Sequence, residues 1–316
     1  MLSEAPVEDQ LSLVVGPAAR GVALDRFLAD RLPGWRLAKV QWALRHGRVH
    51  SDRRTLPEQG EVLVGETLTL LPPPAPRQRP PMPAMPPILH QDPDRLAVDK
   101  PPGMLMHPVG AEFRWGLINL VRARFPDEDI HLAHRLDQHT SGVCLLARNA
   151  EANQELKAAF KERRVAKTYW AIVRGRPQWD ERLLDAPIGD DTRSPIRLKQ
   201  AVVQEGQEAR TAFTVLARFR ELSLLSCRPE TGRTHQLRVH LEHLGHPILG
   251  DRIYGQDPDL FLGLHEGRPV PRLRQRLGHP RHCLHARALH LGELTVRSPM
   301  PSDMARLLAR QGPPDA

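Results

Sequence analysis

The chain has 316 residues, which is enough to bury a full hydrophobic core and to form two domains. Lysine and arginine number 45 against 37 aspartate and glutamate residues. The resulting formal charge of +8 favours a polyanionic partner such as RNA, although an ordinary basic protein has the same balance. Aromatic residues make up only 4% of the chain, which argues against stacking along an open groove as the main binding mode.

The N-terminus and the cysteines bear on where the protein works. Residues 1–10 are acidic and lack an apolar segment, so we expect them to be disordered and not to act as a signal peptide. No apolar run approaches the roughly 18 residues that a membrane span needs. The widely spaced Cys144, Cys227 and Cys283 indicate a reducing compartment rather than a disulfide scaffold. We therefore expect a cytoplasmic protein without membrane contact.

Residues 1–72 predict a small α+β domain with candidate strands at 11–15, at Val49 and at 68–70. Apolar residues recur at helical spacing in two sets: Leu24, Phe27, Leu28 and Leu32, and then Leu37, Val40 and Leu44. Gly47 is expected to end the second helix. Basic residues are spread over this unit: Arg26, Arg31, Arg36, Lys39, Arg45, Arg48, Arg53 and Arg54. They form either a polyanion-binding surface or a solvated basic helix pair.

A proline-rich segment follows, in which nine of the sixteen residues from Pro72 to Pro87 are proline. Because proline fixes φ and cannot donate a backbone hydrogen bond, we expect residues 73–87 to be an extended linker. Residues 88–316 then form a second domain. Its strands and helices interleave irregularly, which favours an α+β fold over a doubly wound one.

Local signals place several elements in this second domain. Asn149 is predicted to cap a helix that reaches about Arg163, and residues 167–173 alternate like a half-buried strand. Thr234 is predicted to cap another helix. Residues 257–281 are rich in glycine, proline and arginine, and we expect a surface loop there that could also grip RNA.

Residues 134–142 read HRLDQHTSG and precede an apolar run at 143–147 that predicts a buried strand. A carboxylate at Asp137, next to such a strand and two residues from Arg135, can stay ionised while it is partly shielded from water. The pattern therefore predicts a reactive carboxylate. A surface ion pair between the two residues is the alternative.

This segment resembles the His-Arg-Leu-Asp-x-x-Thr-Ser-Gly signature of the RluA family of pseudouridine synthases. Further matches to the family follow in order, covering roughly residues 88 to 299: DKPPG at 99–103 with HP at 107–108, the strand from 167 to 175, RPETGRTHQLRVH at 228–240, GD at 250–251 with YG at 254–255, and LHA at 284–286. The resemblance implies a catalytic domain with a central mixed, mainly antiparallel sheet flanked by helices and a cleft. It also implies that residues 1–72 are similar to the RNA-binding domain first named from ribosomal small-subunit protein four. The family usually has Val-Asn-Gly or similar after the second helix, whereas this chain has VHSD at 49–52.

The resemblance further implies an isomerase that breaks the bond between uracil N1 and ribose C1′ and rejoins the base through C5. It makes Asp137 the catalytic carboxylate, Arg233 its basic partner and Tyr169 an active-site ring whose hydroxyl could assist proton removal. Arg135 would help to displace the target nucleotide. The remaining expected substrate-binding residues are His134, Thr140 and Gln236.

No cofactor or metal is expected, because the chemistry involves no redox step. The histidines at 240, 243 and 246 are interrupted by Gly245 and lack the spacing of a zinc site. The expected substrate is large-subunit (23S) ribosomal RNA, with transfer RNA as the alternative, and the expected protein is a monomer. A catalytically idle RNA-binding protein and a metal hydrolase are the competing interpretations.

Overall fold

The computed structural model describes residues 11–32, 37–45, 47–57, 60–70, 82–108, 115–265, 270 and 272–315. The chain divides into two compact units, Met1–Pro81 and Met82–Ala316. This division falls within the segment that is predicted to be a linker. Residues 1–10, for which the sequence predicts disorder, lie outside the described residues, as do residues 71–81.

The first unit is a small α+β fold. Its elements are β1 (Leu11–Val14), a single helical turn (Pro17–Ala19), α1 (Leu24–Arg31), α2 (Leu37–Arg45), β2 (Val49–Ser51) and β3 (Thr67–Leu70). The strands pair antiparallel in the order β1-β3-β2. Leu24, Phe27 and Leu28 are buried on one face of α1, as their helical spacing predicts. Arg54 is bonded to the buried Glu66 at 3.1 Å, so this arginine supports the fold of the unit.

The second unit contains the remaining strands and helices. The strands are β4 (Ile88–Gln91), β5 (Arg95–Lys100), β6 (His131–Leu132), β7 (Ser141–Ala147), β8 (Ala166–Arg174), β9 (Glu181–Asp185), β10 (Ile188–Asp190), β11 (Gln200–Val202), β12 (Arg210–Arg218), β13 (Leu222–Pro229), β14 (Leu284–Leu291) and β15 (Leu294–Arg297). The helices are α3 (Leu117–Arg124), α4 (Ala150–Lys161), α5 (Gln236–His243), α6 (Pro258–His265), α7 (Leu273–Leu277) and α8 (Ser302–Ala309).

A large sheet forms the centre of this unit. Its main order is β4-β5-β7-β14-β8-β13-β12-β9, with β6 added beside β7 and β15 beside β14. Among the described residues the pairing of β7 with β14 is parallel and the other pairings in the sheet are antiparallel. The mixed, mainly antiparallel sheet that the family resemblance implies is therefore confirmed.

Strands β5 and β7 are covered on both faces. Leu96 and Val98 pack with α3, while Ala97 between them packs in the cluster that contains α4. This alternation follows from the two-residue period of side chains along a strand. Strand β7 is buried along its whole length, so it fixes the end of the turn that leads into it.

Two helix starts can be compared with the sequence. The side chain of Asn149 accepts a hydrogen bond from the backbone N–H of Ala152 at 2.8 Å, so the predicted cap of α4 is confirmed. The predicted cap of α5 at Thr234 is wrong, because the residue before the helix is His235, which has a left-handed backbone with φ of 56°. Residues 257–281 are not simply a loop either, since they contain α6 and α7; residues 266–269 and 271 lie outside the described part.

The junction of β7 with β14 depends on Gly142. This residue has φ of +111°, and a Cβ atom there would lie 2.2 Å from the carbonyl oxygen of Ala286. Only glycine fits both the backbone angle and the close approach. The parallel pairing places Ser141 beside His285 and fixes the end of the turn that carries Asp137.

Candidate active site

A cavity of about 600 Å³ opens beside the central sheet. Three segments of the second unit form much of its wall: the turn at 133–137, strand β8 and the segment from Pro229 to Arg238 that leads from β13 into α5. Asp137 and Tyr169 both line the cavity. The first comes from the turn before β7 and the second from β8, so the sheet brings together motifs that are well separated in the sequence.

Asp137 is paired with an arginine of α5. Arg238 donates a hydrogen bond from Nη1 to Oδ2 of Asp137 at 3.0 Å. The other side of the guanidinium binds Asp251, from Nε to Oδ2 at 2.6 Å and from Nη2 to Oδ1 at 2.9 Å. Asp251 also accepts hydrogen bonds from the backbone N–H groups of Ile253 and Tyr254. One buried carboxylate thus orients the guanidinium, and the guanidinium orients the other carboxylate.

The charges around Asp137 keep it ionised. Burial alone would raise its pKa, but the charge and hydrogen bond of Arg238, together with the neighbouring His235 and His282, outweigh burial and leave the pKa of Asp137 below its usual value. The side chain of Asp137 is 29% exposed, whereas that of Arg238 is 7% exposed. Both side chains line the cavity, and the carboxylate is the more accessible of the two.

Two neighbouring histidines are neutral. Burial, helped by the charge of Arg238, lowers the pKa of His235 to about 4 and that of His282 to about 3. His235 lies with Nε2 4.0 Å from Oδ2 of Asp137, and its Nδ1 is hydrogen-bonded to the hydroxyl of Tyr254 at 2.9 Å. The backbone N–H of Gln200 donates to the same hydroxyl at 3.1 Å. A tautomer with hydrogen on Nε2 directs a donor toward Asp137 and leaves Nδ1 to accept from Tyr254.

The predicted role of Arg233 is corrected by the structure. Its guanidinium donates to the backbone oxygen of Glu208 at 2.9 Å and to the side chain of Gln207 at 3.1 Å. The basic partner of Asp137 is Arg238, in the same sequence block. The turn at 231–234 carries Arg233 away from Asp137, while the first turn of α5 directs Arg238 toward it.

Tyr169 faces the cavity from β8. It packs against two hydrophobic clusters of the second unit. Burial raises the pKa of the Tyr169 phenol, and the negative charge of Asp137 raises it further, so the hydroxyl stays protonated at neutral pH. The ring can therefore present an aromatic face and a neutral hydroxyl to a bound base.

Two residues that are predicted to bind substrate are instead engaged within the protein. The amide of Gln236 donates to the backbone oxygen of Arg210 and to Thr211, and it accepts from Thr231 and from the backbone N–H of Arg233. All of its hydrogen-bonding capacity is then used, so it shapes the 231–236 turn.

Thr140 is likewise buried, and its hydroxyl is hydrogen-bonded to Nε2 of His282 at 2.9 Å. The polar atoms of both predicted substrate-binding residues thus shape the cavity wall.

His134 and Arg135 line the cavity in different ways. Nε2 of His134 accepts the backbone N–H of Leu145 at 3.0 Å, and its ring stacks on Phe160 with centroids 4.8 Å apart. Burial, together with the charge of Lys167, lowers the pKa of His134 to about 3, so the ring is neutral. Arg135 is exposed and remains available for a nucleotide.

Lys100 joins two loops, one of which carries Asp137. Its side chain is fully buried, and its ammonium donates to the backbone oxygens of Pro101, Met104 and Gln138 at 2.9 to 3.0 Å. The backbone N–H of Gly103 also donates to Gln138 at 2.9 Å. The loop that contains Gln138 is the one that carries Asp137, so these bonds fix the position of the carboxylate.

Sequence reasoning missed Arg238, Asp251 and His235. His235 and Arg238 stand in the same 228–240 block as Arg233, and Asp251 stands in the GD pair at 250–251. In the part of the chain that the structure describes, no group of three or more histidine, cysteine, aspartate or glutamate side chains is placed to hold a metal ion. Over the same described residues, no helix is long and apolar enough to cross a membrane.

Comparisons with known proteins identify the family of the chain. A family model described as RNA pseudouridylate synthase matches residues 94–243. An uncharacterized RNA pseudouridine synthase of Chloroflexus aurantiacus is 39% identical over 250 residues, which are 77% of this chain and 78% of that protein. Ribosomal large subunit pseudouridine synthase D of Nitrosomonas europaea is 35% identical over 315 residues, which are 95% of this chain and 88% of that protein.

A solved structure gives the same result. The human protein called RNA Pseudouridylate Synthase Domain Containing 4 aligns with a TM-score of 0.54 and 29% identity over 71% of this chain and 92% of that chain. The fold, the sequence relatives and the family model thus point to one class of enzyme. The chain belongs to the RNA pseudouridine synthase family, whose members are isomerases that act on RNA.

Proposed function

We propose that this enzyme isomerises one or more uridines of large-subunit ribosomal RNA, with Asp137 as its catalytic carboxylate. The observation that carries the chemical part is the pairing of Asp137 with Arg238 on the wall of the cavity. The substrate part is supported by the relative from Nitrosomonas europaea, which is named for the ribosomal large subunit and matches 95% of this chain.

The reaction needs a reactive group at C1′, C2′ or C6 of a uridine that has left its stack. The bond from C1′ to N1 breaks, a bond from C1′ to C5 forms, C5 loses a proton and N1 gains one, so the composition is unchanged. An ionised carboxylate can start this sequence either as a nucleophile or as a base. Arg238 keeps Asp137 in the required charge state without itself facing open solvent.

Tyr169 and Arg135 would act on the flipped base and on the space that it leaves. The ring of Tyr169 offers a stacking surface in the cavity. Since burial raises the pKa of its phenol, the protonated hydroxyl is suited to hydrogen bonding and not to acting as a phenolate base at neutral pH. Arg135 is exposed beside the same cavity and would offset part of the unstacking energy of a few kcal/mol.

The first unit would add affinity for RNA. Arg26, Arg31, Arg45 and Arg53 are exposed on it. Cations of this kind contact phosphates without regard to sequence. We infer that this unit is an RNA-binding domain similar to that of ribosomal small-subunit protein four, and that it delivers the catalytic unit to folded RNA.

The test uses full-length protein and unmodified RNA. Wild-type enzyme and Asp137→Asn are each incubated with a transcript of large-subunit ribosomal RNA and with a pool of transfer RNA transcripts, and pseudouridines are mapped chemically. We expect discrete sites in the ribosomal transcript with the wild type and none with the variant. Sites found in transfer RNA alone would contradict the proposed substrate. Sites found in neither RNA would contradict the proposed function.

A further inference from the structure

Most arginines that line the active-site cavity are already held by the protein. Arg238 is paired with its two aspartates, and Arg163 is paired with Glu208 at 2.9 Å. Arg233 donates to the backbone oxygen of the same glutamate. These guanidinium groups therefore have partners before any substrate enters.

Lys167 differs from these groups. It lies half-buried on β8 and lines the cavity, and among the described residues its ammonium makes no hydrogen bond or ion pair. Its Nζ is 3.9 Å from the place that a Cβ atom on Gly232 would take, so the glycine leaves that side of the ammonium uncovered. Burial lowers the pKa of Lys167.

The neighbours of Lys167 do not compensate its charge. His134 is close enough for the lysine charge to contribute to its low pKa, and it is neutral. Glu230, which also lines the cavity, is paired with Arg210 at 3.3 Å. A partly desolvated charge without a counterion costs free energy, and in proteins such a charge is usually paired with an anion or a ligand. The cavity wall therefore carries a positive charge without a counterion at this position.

The position of Lys167 relative to Tyr169 bears on which anion it could bind. Lys167 and Tyr169 lie two residues apart on one strand, so their side chains emerge on the same face about 6.6 to 6.8 Å apart. If the Tyr169 ring stacks on the target base, which rests on the proposed function, the attached ribose and phosphate extend over about this distance. We propose that Lys167 binds a phosphodiester group next to the target uridine.

If Lys167 binds one phosphate, removal of the lysine and neutralisation of that phosphate should weaken binding no more together than either change alone. The substrate is a short RNA that contains a mapped target uridine, and a single neutral methylphosphonate replaces each flanking phosphate in turn. We expect Lys167→Met to weaken RNA binding and kcat/KM by about 10- to 100-fold, with kcat at saturation nearly unchanged. At one flanking position the methylphosphonate should weaken binding by the wild type similarly and cause no further loss in Lys167→Met.

Lys161→Met is the matched control, because Lys161 is an exposed cavity lysine and its removal changes the net charge equally. The control should show losses that multiply with those of every methylphosphonate. Thermal unfolding adds a second measurement: Lys167→Met should be at least as stable as the wild type, because an uncompensated charge is removed. Independent losses at every phosphate in Lys167→Met, or a less stable variant with a lower kcat, would overturn the proposal. If no target uridine can be mapped, the proposed function is contradicted and this proposal, which rests on it, is contradicted with it. A mapped target uridine without coupling at any flanking phosphate would overturn this proposal alone.

Discussion

Asp251 holds Arg238 in a bidentate ion pair, with 2.6 Å from Nε to Oδ2 and 2.9 Å from Nη2 to Oδ1. Because the guanidinium is planar and two of its nitrogens bind Asp251, the orientation of the third nitrogen, Nη1, is fixed. This nitrogen donates to Asp137. The side chain of Asp251 is 0% exposed and never meets substrate directly. It acts through the arginine as a positioning residue.

Of the three arginines in the 228–240 block, Arg233 and Arg238 should respond differently to conservative substitution. Arg238→Lys keeps the charge but cannot form a bidentate fork, so we expect kcat/KM to fall about 10- to 100-fold. Arg233→Lys is the matched control and should change it by less than about threefold, because the Arg233 guanidinium donates to Glu208 and Gln207 and not to Asp137. Equal losses in the two variants would contradict the assignment.

The charge of Arg238 should also set the acidic limb of the pH–activity profile. The pKa of Asp137 is held below its usual value, so activity is present above that pKa and is lost as pH falls through it. In Arg238→Gln the pKa of Asp137 should rise, and the acidic limb should move to higher pH by about 1 to 3 units. The profile is measured as kcat/KM over pH with protein that is checked for folding at each pH. An acidic limb that does not move would argue against Asp137 as the ionising group.

Removal of Asp251 should lower stability in a pH-dependent way. Burial would raise its pKa, but the ion pair with Arg238 outweighs burial and lowers the pKa, so its stabilisation is complete above an unfolded-state value of about 3.9 and is lost at lower pH. Asp251→Asn should cost about 3 to 5 kcal/mol at pH 7. The difference from wild type should shrink as pH falls below about 4. Denaturant unfolding at several pH values measures this, and a constant difference would contradict it.

The two tyrosines of the chain, Tyr169 and Tyr254, should both resist ionisation. Burial raises the pKa of each phenol. A free tyrosine is about half ionised at pH 10, whereas the folded protein should show little phenolate absorbance there. Unfolding in denaturant at the same pH should release both signals, and Tyr169→Phe should remove one of them. Native absorbance equal to that of the unfolded chain would show that the hydroxyls are solvated.

Asp137→Asn should abolish isomerisation while RNA affinity stays within a few-fold of wild type. The substitution is nearly isosteric, and affinity comes mainly from phosphate contacts. Pseudouridine formation and equilibrium binding on the same RNA measure the two effects separately. Activity above about one percent of wild type, with hydrolysis of the amide excluded, would contradict the catalytic role.

Exposed arginines of the first unit should contribute to the salt dependence of RNA binding. Each lost phosphate contact lowers the log–log slope by about 0.7 to 0.9, so the combined variant Arg26→Ala with Arg45→Ala should bind natural RNA with a flatter slope. Arg310→Ala, an exposed arginine after α8, is the control. Unchanged slopes in the combined variant would indicate that this surface of the unit does not touch RNA.

The sequence predicts elements well where a local signal has no competitor. The spacing of Leu24, Phe27 and Leu28 gives α1, and the side chain of Asn149 caps α4. In residues 257–281, glycine and arginine obscured a weaker helical signal: Pro258 suits the first turn of α6, and apolar residues follow it.

The site could be predicted as a set of motifs but not as a set of contacts. Asp137, Tyr169 and the 228–240 block meet in one cavity, yet the arginine of the block that reaches Asp137 is not the one that the motif suggested. The left-handed backbone of His235 turns the chain between Arg233 and Arg238, and no pattern of residue types reveals that rotation. The pairing of Asp251 with α5 is equally hidden, because it depends on tertiary packing.

The hydrogen bonds of Lys100 couple the mobility of two segments. Its ammonium binds carbonyls of both the 101–104 loop and the Asp137 loop, so local opening of either one would break contacts of the other. We therefore expect the two loops to open together as one cooperative unit of local unfolding. A substrate that enters the cavity therefore meets Asp137 on a loop that Lys100 already holds, whereas Arg135 in the same loop is exposed.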